Sequence, residues 1–235
     1  MNMRDDERAK VTLDTPMGDI RKELANMRRS YGEVGLLESD LPSDPFPLFE
    51  KWFAAARENP YIVEANAMVL STSDQTSRSV LLKDFTPAGF TFFTNYNSRK
   101  ARAIAANPRV SLLFPWYPME RQIIITGVAE KTSPSDSDSY FATRPYLSQI
   151  GAWASSQSEV LESRELLAAK VEEYRAKFPE SQPVQRPEHW GGFLISAESI
   201  EFWQGRYSRL HDRIRYHFLN DQESGARWER VRLNP

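Results

Sequence analysis

The chain of 235 residues has no cysteine. That excludes disulfides, thiolate nucleophiles, zinc ribbons and iron–sulfur clusters together. Histidine is scarce: only His189, His211 and His217 occur, with no HExxH, so no metal site is expected. The phosphate-cradling GxxxxGK[ST] and GxGxxG patterns are missing, and so is the GxSxG nucleophile elbow. Any bound phosphate must then be gripped by scattered side chains rather than by a glycine loop. There is no excess of one charge: 30 Lys plus Arg against 32 Asp plus Glu leave a formal net charge of −2. A general nucleic-acid binder would carry a broad basic surplus, so none is expected as a partner. No run approaches the ~18 apolar residues that a membrane-spanning helix needs. Met1 to Lys10 is polar without an apolar core, so no secretory signal is expected and the cytoplasm is the default compartment.

What is present is a core-forming composition, 40% hydrophobic with 6 Trp, 9 Tyr and 13 Phe. Residues 1–25 are expected to form a flexible arm ahead of one domain over 26–235, with a short helix over roughly Asp19–Arg29. Asp44-Pro45 can open a helix, and Leu48, Phe49, Trp52, Phe53 and Ala56 carry an apolar stripe to about Asn59. Short β-rich runs follow at Ala67–Thr72, Ser79–Phe85 and Phe90–Thr94, then a helix at Arg99–Ala106. Strands are expected at Arg109–Trp116 and Glu120–Glu130. Residues 133–178 read as mostly helical, with one helix ending near Arg144-Pro145 and another over about Glu159–Lys177. Strands return at Gly192–Trp203, Leu210–Leu219 and Arg227–Leu233. Tight links suggest an antiparallel meander that may close into a barrel, with one sheet system on both sides of the helical insert.

Four windows carry cations suited to phosphate. Residues 203–215 hold four arginines and one aspartate; as a strand they would place Arg209, His211, Arg213, Arg215 and His217 on one face. Leu210, Ile214, Tyr216 and Phe218 would share the other, with Asp212 the exception. Stacked positive charge costs free energy unless something anionic lies against it; a solvated basic face is the plainer alternative. In Arg78–Lys83 strand parity separates Arg78 from Lys83, so one ligand could meet both only through backbone, strand ends or a bulge. In Thr94–Lys100, Ser98 can cap a helix whose N-terminus seats phosphate, with Arg99 and Lys100 beside it. In Tyr140–Ser148, Tyr140 and Arg144 are i,i+4 on a helix and Ser148 adds a hydroxyl, a trio suited to a phosphate monoester.

Taken together, RSVLLK (78–83), TNYNSRK (94–100), NPRVSLLFPW (107–116), ERQ (120–122), RPYLSQIGAW (144–153), WGGF (190–193), IEFWQG (200–205), RLHDR (209–213) and RLNP (232–235) resemble the pyridoxine (pyridoxamine) 5′-phosphate oxidase family. The resemblance runs from about Arg28 to Pro235. It implies a mainly β fold with α: an antiparallel, Greek-key-like FMN-binding split β-barrel with peripheral helices, as a homodimer with FMN between subunits. It implies oxidation of pyridoxamine or pyridoxine 5′-phosphate to pyridoxal 5′-phosphate by O2. Flavin contacts would be Arg78, Ser79, Val80, Leu81, Leu82, Lys83, Phe93, Thr94, Arg99, Lys100, Gln122, Gln157, Ser158, Trp203 and Arg213. The substrate phosphate would meet Lys83, Tyr140, Arg144 and Ser148; Arg209 and His211 would flank the reacting carbon, and Arg28 and Tyr31 would fold over the substrate. The family often has tyrosine at Phe93 and varies at Arg206-Tyr207-Ser208. Other split-barrel flavoproteins, such as flavin reductases, lack the RPxxSQ and RLHDR windows. A non-catalytic FMN or pyridoxal phosphate carrier would consume no oxygen.

Overall fold

The structure is a computed structural model that describes residues 16–27, 30–33, 35–221 and 225–235. Arg28 lies outside the described residues. The first helix, α1 (Pro16–Asn26), begins earlier and ends earlier than the expected 19–29 span, so it occupies much of the segment read as an arm. After it comes α2 (Pro45–Glu58), started by the Asp44 carboxylate accepting from the Phe46 N–H at 2.8 Å, with Pro45 in the first turn.

Nine strands form one sheet: β1 (Ala67–Ser71), β2 (Ser77–Leu81), β3 (Asp84–Thr86), β4 (Gly89–Asn95), β5 (Arg109–Trp116), β6 (Arg121–Lys131), β7 (Trp190–Gln204), β8 (Asp212–Asp221) and β9 (Gly225–Leu233). All pairings are antiparallel, in the order β2-β1-β5-β6-β7-β4-β3, with β8 on β7 and β9 on β8. This is not the simple meander expected, because β1 pairs with β5 and β4 with β7. The ladder is also not closed. Its two ends, β2 and β3, are joined through Leu82-Lys83 without pairing to each other.

That junction corrects the single strand expected over Ser79–Phe85. The Leu82 N–H donates to the Asn66 carbonyl (2.8 Å), while the Lys83 N–H donates to Thr91 (2.8 Å). The chain leaves one partner for another at this point, and Leu82 turns into the core. The parity that separates Arg78 from Lys83 is thereby broken.

Strand β7 organises the rest. One edge pairs with β6 along its length; the other is divided between β4 (residues 190–195) and β8 (residues 199–204). A register shift at Thr126/Gly127 bends this pair. Glycine is required there, since a Cβ on Gly127 would lie 2.1 Å from the Ser196 carbonyl oxygen. Helix α3 (Arg99–Ala106) connects β4 to β5, and α4 (Pro134–Ala142), α5 (Tyr146–Ala154) and α6 (Arg164–Lys177) lie between β6 and β7. The sequence reading missed α5 as a separate helix and started α6 too early; Ser163 caps it through the Leu166 N–H. At the C-terminal side, a short 3-10 turn over Tyr207–Arg209 delays β8 to Asp212. Leu210 therefore stays 67% exposed instead of joining the core, and Phe218 is also exposed, whereas Ile214 and Tyr216 are buried as expected. None of the helices among the described residues is long and apolar enough to cross a membrane.

The main core joins α2 to the inner faces of β1, β4, β5, β6 and β7. Phe49 sits at its centre, fully buried, with the ring centroids of Phe53, Phe85, Phe90 and Phe114 at 4.9 to 6.0 Å. A second apolar cluster of Phe141, Ile150, Ala152, Val184 and Trp190 ties the helical insert to the start of β7. Phe49→Ala is expected to cost about 3–5 kcal/mol of stability. Urea denaturation checks this, and an unchanged midpoint would contradict the role given to Phe49.

Candidate active site

A cavity of about 670 Å³ opens between the β2/β4 end of the sheet and the helical insert. Ser79, Val80 and Leu81 reach it from β2, Lys83 from the strand break, and Phe93 and Thr94 from β4. Lys100 comes from α3, Tyr140 from α4 and Ser148 from α5, and Arg144 and Gln157 complete the expected set. The strand break thus delivers Lys83 to the same cavity as residues of β2. Arg144 is not on a helix with Tyr140, because α4 ends at Ala142; a turn in which the Arg144 N–H donates to Phe141 (3.1 Å) brings it in instead.

No carboxylate lines this cavity, which holds three cations, Lys83, Lys100 and Arg144. Lys100 donates only to neutral oxygens: Thr94 Oγ1 (3.2 Å), Gln157 Oε1 (3.0 Å) and Ser98 Oγ (3.4 Å). Burial, with the nearby Arg78 charge, pushes its ammonium pKa down. Burial likewise lowers the Arg144 guanidinium, which still stays charged at neutral pH. Arg144 Nη1 is buried without a hydrogen-bond partner. Such an orphaned cationic donor is costly unless an anion meets it. Phe93 and Tyr140 stack at 3.9 Å between ring centroids, and Trp190 lies parallel to both.

Other predicted residues stand outside this cavity. Arg99 Nε meets Asp74 Oδ2 at 3.0 Å, and Arg78 donates to Thr72 Oγ1 at 2.7 Å and to Thr76. The hydrogen bonds from Thr72 and Thr76, then that from Arg99, hold the Asp74 carboxyl far below its usual range. Asp74 thus explains the arginine at the helix N-terminus. Ser98 occupies the cap position of α3, fully buried, but its side chain makes no capping bond. Leu82 is committed to the core, and Ser158 adopts a left-handed φ of 74° beside Gln157.

A second group gathers at the far end of β7. The Trp203 and His211 rings are 4.7 Å apart, and Tyr31 packs edge-on against both at 5.8 and 5.4 Å. Gln122 and Arg213 face Trp203 on the neighbouring strands. The Arg206 N–H donates to His211 Nδ1 (3.1 Å), so the neutral ring carries its proton on Nε2. Burial, then the Arg209 charge, lowers the His211 pKa. Ser208 and Arg209 both hold positive φ, 55° and 62°, a strained pair that presents the Arg209 side chain to solvent. The anion expected against the basic face of β8 is Glu201: it accepts from Arg213 Nε (2.8 Å) and from Arg215 Nε and Nη2 (3.0 and 2.7 Å). Burial alone would raise the Glu201 carboxyl, but these bonds outweigh it and hold it below the usual range. Asp212, the exception to the alternation, is buried and accepts from the Leu36 N–H, Arg206 and Arg232.

Trp190 and Trp203 are separated by about 40 Å of strand. Tyr31, Trp203, His211 and Arg213 do not line the cavity that holds Lys83 and Arg144, so the two groups are separate within a single chain. Sequence reasoning missed Trp190, Thr143 and Ser155 as cavity residues; the only signal for Trp190 was its place in the WGGF segment. No group of three His, Asp or Glu able to hold a metal occurs among the described residues.

Residues 54–178 match the family described as pyridoxamine 5′-phosphate oxidase, and residues 190–235 match the pyridoxine 5′-phosphate oxidase C-terminal dimerisation region. A relative from Streptomyces avermitilis named pyridoxine/pyridoxamine 5′-phosphate oxidase is 48% identical over 218 residues, covering 90% of this chain and 96% of the relative. A protein of the same name from Rubrobacter xylanophilus is 50% identical, covering 92% and 98%. Among solved structures, PhzG from Burkholderia lata, in complex with tetrahydrophenazine-1-carboxylic acid, superimposes with a TM-score of 0.76 at 30% identity, covering 87% of this chain and 100% of that one. A pyridoxamine 5′-phosphate oxidase-related, FMN binding protein from Nostoc punctiforme shares the fold with a TM-score of 0.62 at 13% identity, covering 83% and 100%.

The lowered His211 pKa predicts an imidazole midpoint below the ordinary 6.5 by NMR titration. A midpoint at or above 6.5 would contradict the burial of His211 beside the Arg209 charge. The unfolded chain takes up the proton first, so the contribution of His211 to stability is present above pH 6.5 and is lost as pH falls below it.

Proposed function

Given that the chain belongs to the pyridoxamine 5′-phosphate oxidase family, we propose that this enzyme is an FMN-dependent oxidase of pyridoxamine and pyridoxine 5′-phosphates in vitamin B6 metabolism, working in the cytoplasm. The observation that carries the substrate assignment is the acid-free cavity in which Lys83, Tyr140, Arg144 and Ser148 converge, with Arg144 Nη1 buried and unpaired. An arginine fork, a lysine and two hydroxyls suit the oxygens of a phosphate monoester. A tricyclic carboxylic acid like the PhzG ligand would leave this set underused.

Residues 26–235 act as one catalytic domain behind the 1–25 arm. FMN fits the residues present: Lys100, Thr94 and Gln157 form a linked polar set in the cavity wall, and Arg78 and Arg99 stand outside it, gathered at Asp74. Leu82 is turned into the core; the remaining flavin contacts fall into two groups, Ser79, Val80, Leu81, Lys83, Phe93 and Ser158 on this side, and Gln122, Trp203 and Arg213 at the Trp203–His211 end. A homodimer joins them: one copy offers the phosphate cavity and the second offers the Trp203–His211 end. The match of residues 190–235 to a dimerisation region supports this arrangement. When bound, FMN would supply a hydride acceptor at N5 for the hydride leaving substrate C4′ and would be reoxidised by O2 with formation of H2O2; with the amine substrate, water would hydrolyse the resulting imine to the aldehyde and NH3.

The chain's own residues bind and orient. Lys83, Tyr140, Arg144 and Ser148 hold the phosphate and so fix the distance of C4′ from the flavin. Arg209, lifted by its left-handed turn, covers the substrate face turned away from the flavin. His211 presents the Nε2 proton and orients polar groups of the substrate ring. Tyr31 covers the bound substrate; Arg28 lies outside the described residues.

An anaerobic spectrum tests the assignment: pyridoxamine 5′-phosphate should bleach the flavin and air should restore it, whereas an unbleached spectrum contradicts the reading. Arg209→Leu should lose turnover by orders of magnitude while retaining FMN, and full turnover would refute its role. Arg144→Ala should act mainly by raising KM. A fall in kcat at unchanged KM would contradict its place on the phosphate.

A further inference from the structure

The arginines of this protein are supported in two different ways. Arg99 rests on Asp74 at 3.0 Å, Arg186 on Asp138 at 2.7 Å, and Arg213 and Arg215 share Glu201. Arg144 has no ion-pair partner among the described residues. Its guanidinium lies instead over the Trp190 ring, 4.4 Å from the centroid, with Phe141 at 5.5 Å. Trp190 is 6% exposed and is itself fixed by the apolar cluster of the helical insert and by parallel stacking on Phe93 and Tyr140.

The two kinds of support have opposite consequences for an incoming anion. A carboxylate under an arginine cancels its charge and occupies donors of its fork. A ring face holds the planar group by its quadrupole and takes no in-plane N–H, so the charge and the donors remain available. The buried, unpartnered Nη1 is what such a support leaves.

We propose that Trp190 is a positioning residue for phosphate recognition: it orients Arg144 as a platform in place of an acid, leaving the full cationic fork for the dianion. The inference rests on the reading that Arg144 receives the substrate phosphate, and it assigns a specificity role to a residue outside the phosphate-contacting set. Affinity should therefore follow the strength of the ring face at position 190, in the order tryptophan, phenylalanine, leucine.

The test is titration calorimetry of the FMN-loaded protein with inorganic phosphate, a readout separable from turnover. Trp190→Leu should weaken phosphate binding about tenfold, and Trp190→Phe by about two- to threefold. Val184→Ala removes volume from the same apolar cluster without lining the phosphate cavity, and should leave phosphate affinity unchanged. If Trp190→Leu does not fold, the Trp190→Phe and Val184→Ala pair carries the comparison alone. Equal weakening by the position-190 and position-184 variants would mean a merely structural role and overturn the proposal. So would an unchanged affinity in Trp190→Phe and Trp190→Leu, or no phosphate binding by the unmodified protein.

Discussion

Positive charge brought out of water without a counterion is the constraint around which this molecule is arranged. Lys100 and Arg144 are half-buried at a cavity that has no acid in its wall, and both have pKa values lowered by burial. Holding cations that way is unfavourable in the empty protein and becomes favourable when an organophosphate enters. The surrounding structure absorbs the cost. The aromatic core around Phe49 anchors the sheet, the Phe141–Trp190 cluster anchors the insert, and the cavity lies where the two meet. Elsewhere several arginines rest on carboxylates, Arg99 on Asp74, Arg186 on Asp138, and Arg213 and Arg215 on Glu201, while one cleft keeps its cations unneutralised. A field confined to one cleft can draw anions inward without making the whole surface sticky.

The second constraint is the length of β7. A fifteen-residue strand that pairs with β4 at one end and β8 at the other carries the phosphate cavity near its start and the Trp203–His211 group near its finish. Tyr31, Trp203 and His211 are not part of the cavity wall. In the proposed homodimer, association of two copies makes one site from these two unlike halves. The Asp212 cluster has a matching role. By tying Leu36, Arg206 and Arg232 to one buried carboxylate, it couples the segment next to Tyr31 to the strained turn that presents Arg209.

Much of this was legible in the residues because local chemistry set it. Arg99–Ala106 and Arg109–Trp116 fall where the Asn107-Pro108 stop and the apolar pattern put them. Asp44-Pro45 starts α2 as its capping chemistry requires. What escaped was decided by tertiary pairing. Nothing in Ser79–Phe85 signals that its two halves belong to different partners, and that break is what reconciles Arg78 with Lys83. Leu210 was misplaced because Ser208 and Arg209 adopt a left-handed turn that non-glycine residues seldom announce. Glu201 was not singled out in the sequence, although it is the anion that the basic face of β8 demanded. The windows that resemble the oxidase family named the candidate residues; only the three-dimensional arrangement showed that they fall into two separated groups.

The central claim is that the unneutralised cations grip the phosphate of a second ligand held against the flavin. It is tested most directly by a crystal structure of the protein with both FMN and pyridoxal 5′-phosphate bound. The account predicts the pyridoxal phosphate group on Lys83, Tyr140, Arg144 and Ser148 of one chain, with Arg209 and His211 of the other chain over its ring. A phosphate seated elsewhere, with Arg144 turned to bulk water or a complete site formed by one chain, would contradict it.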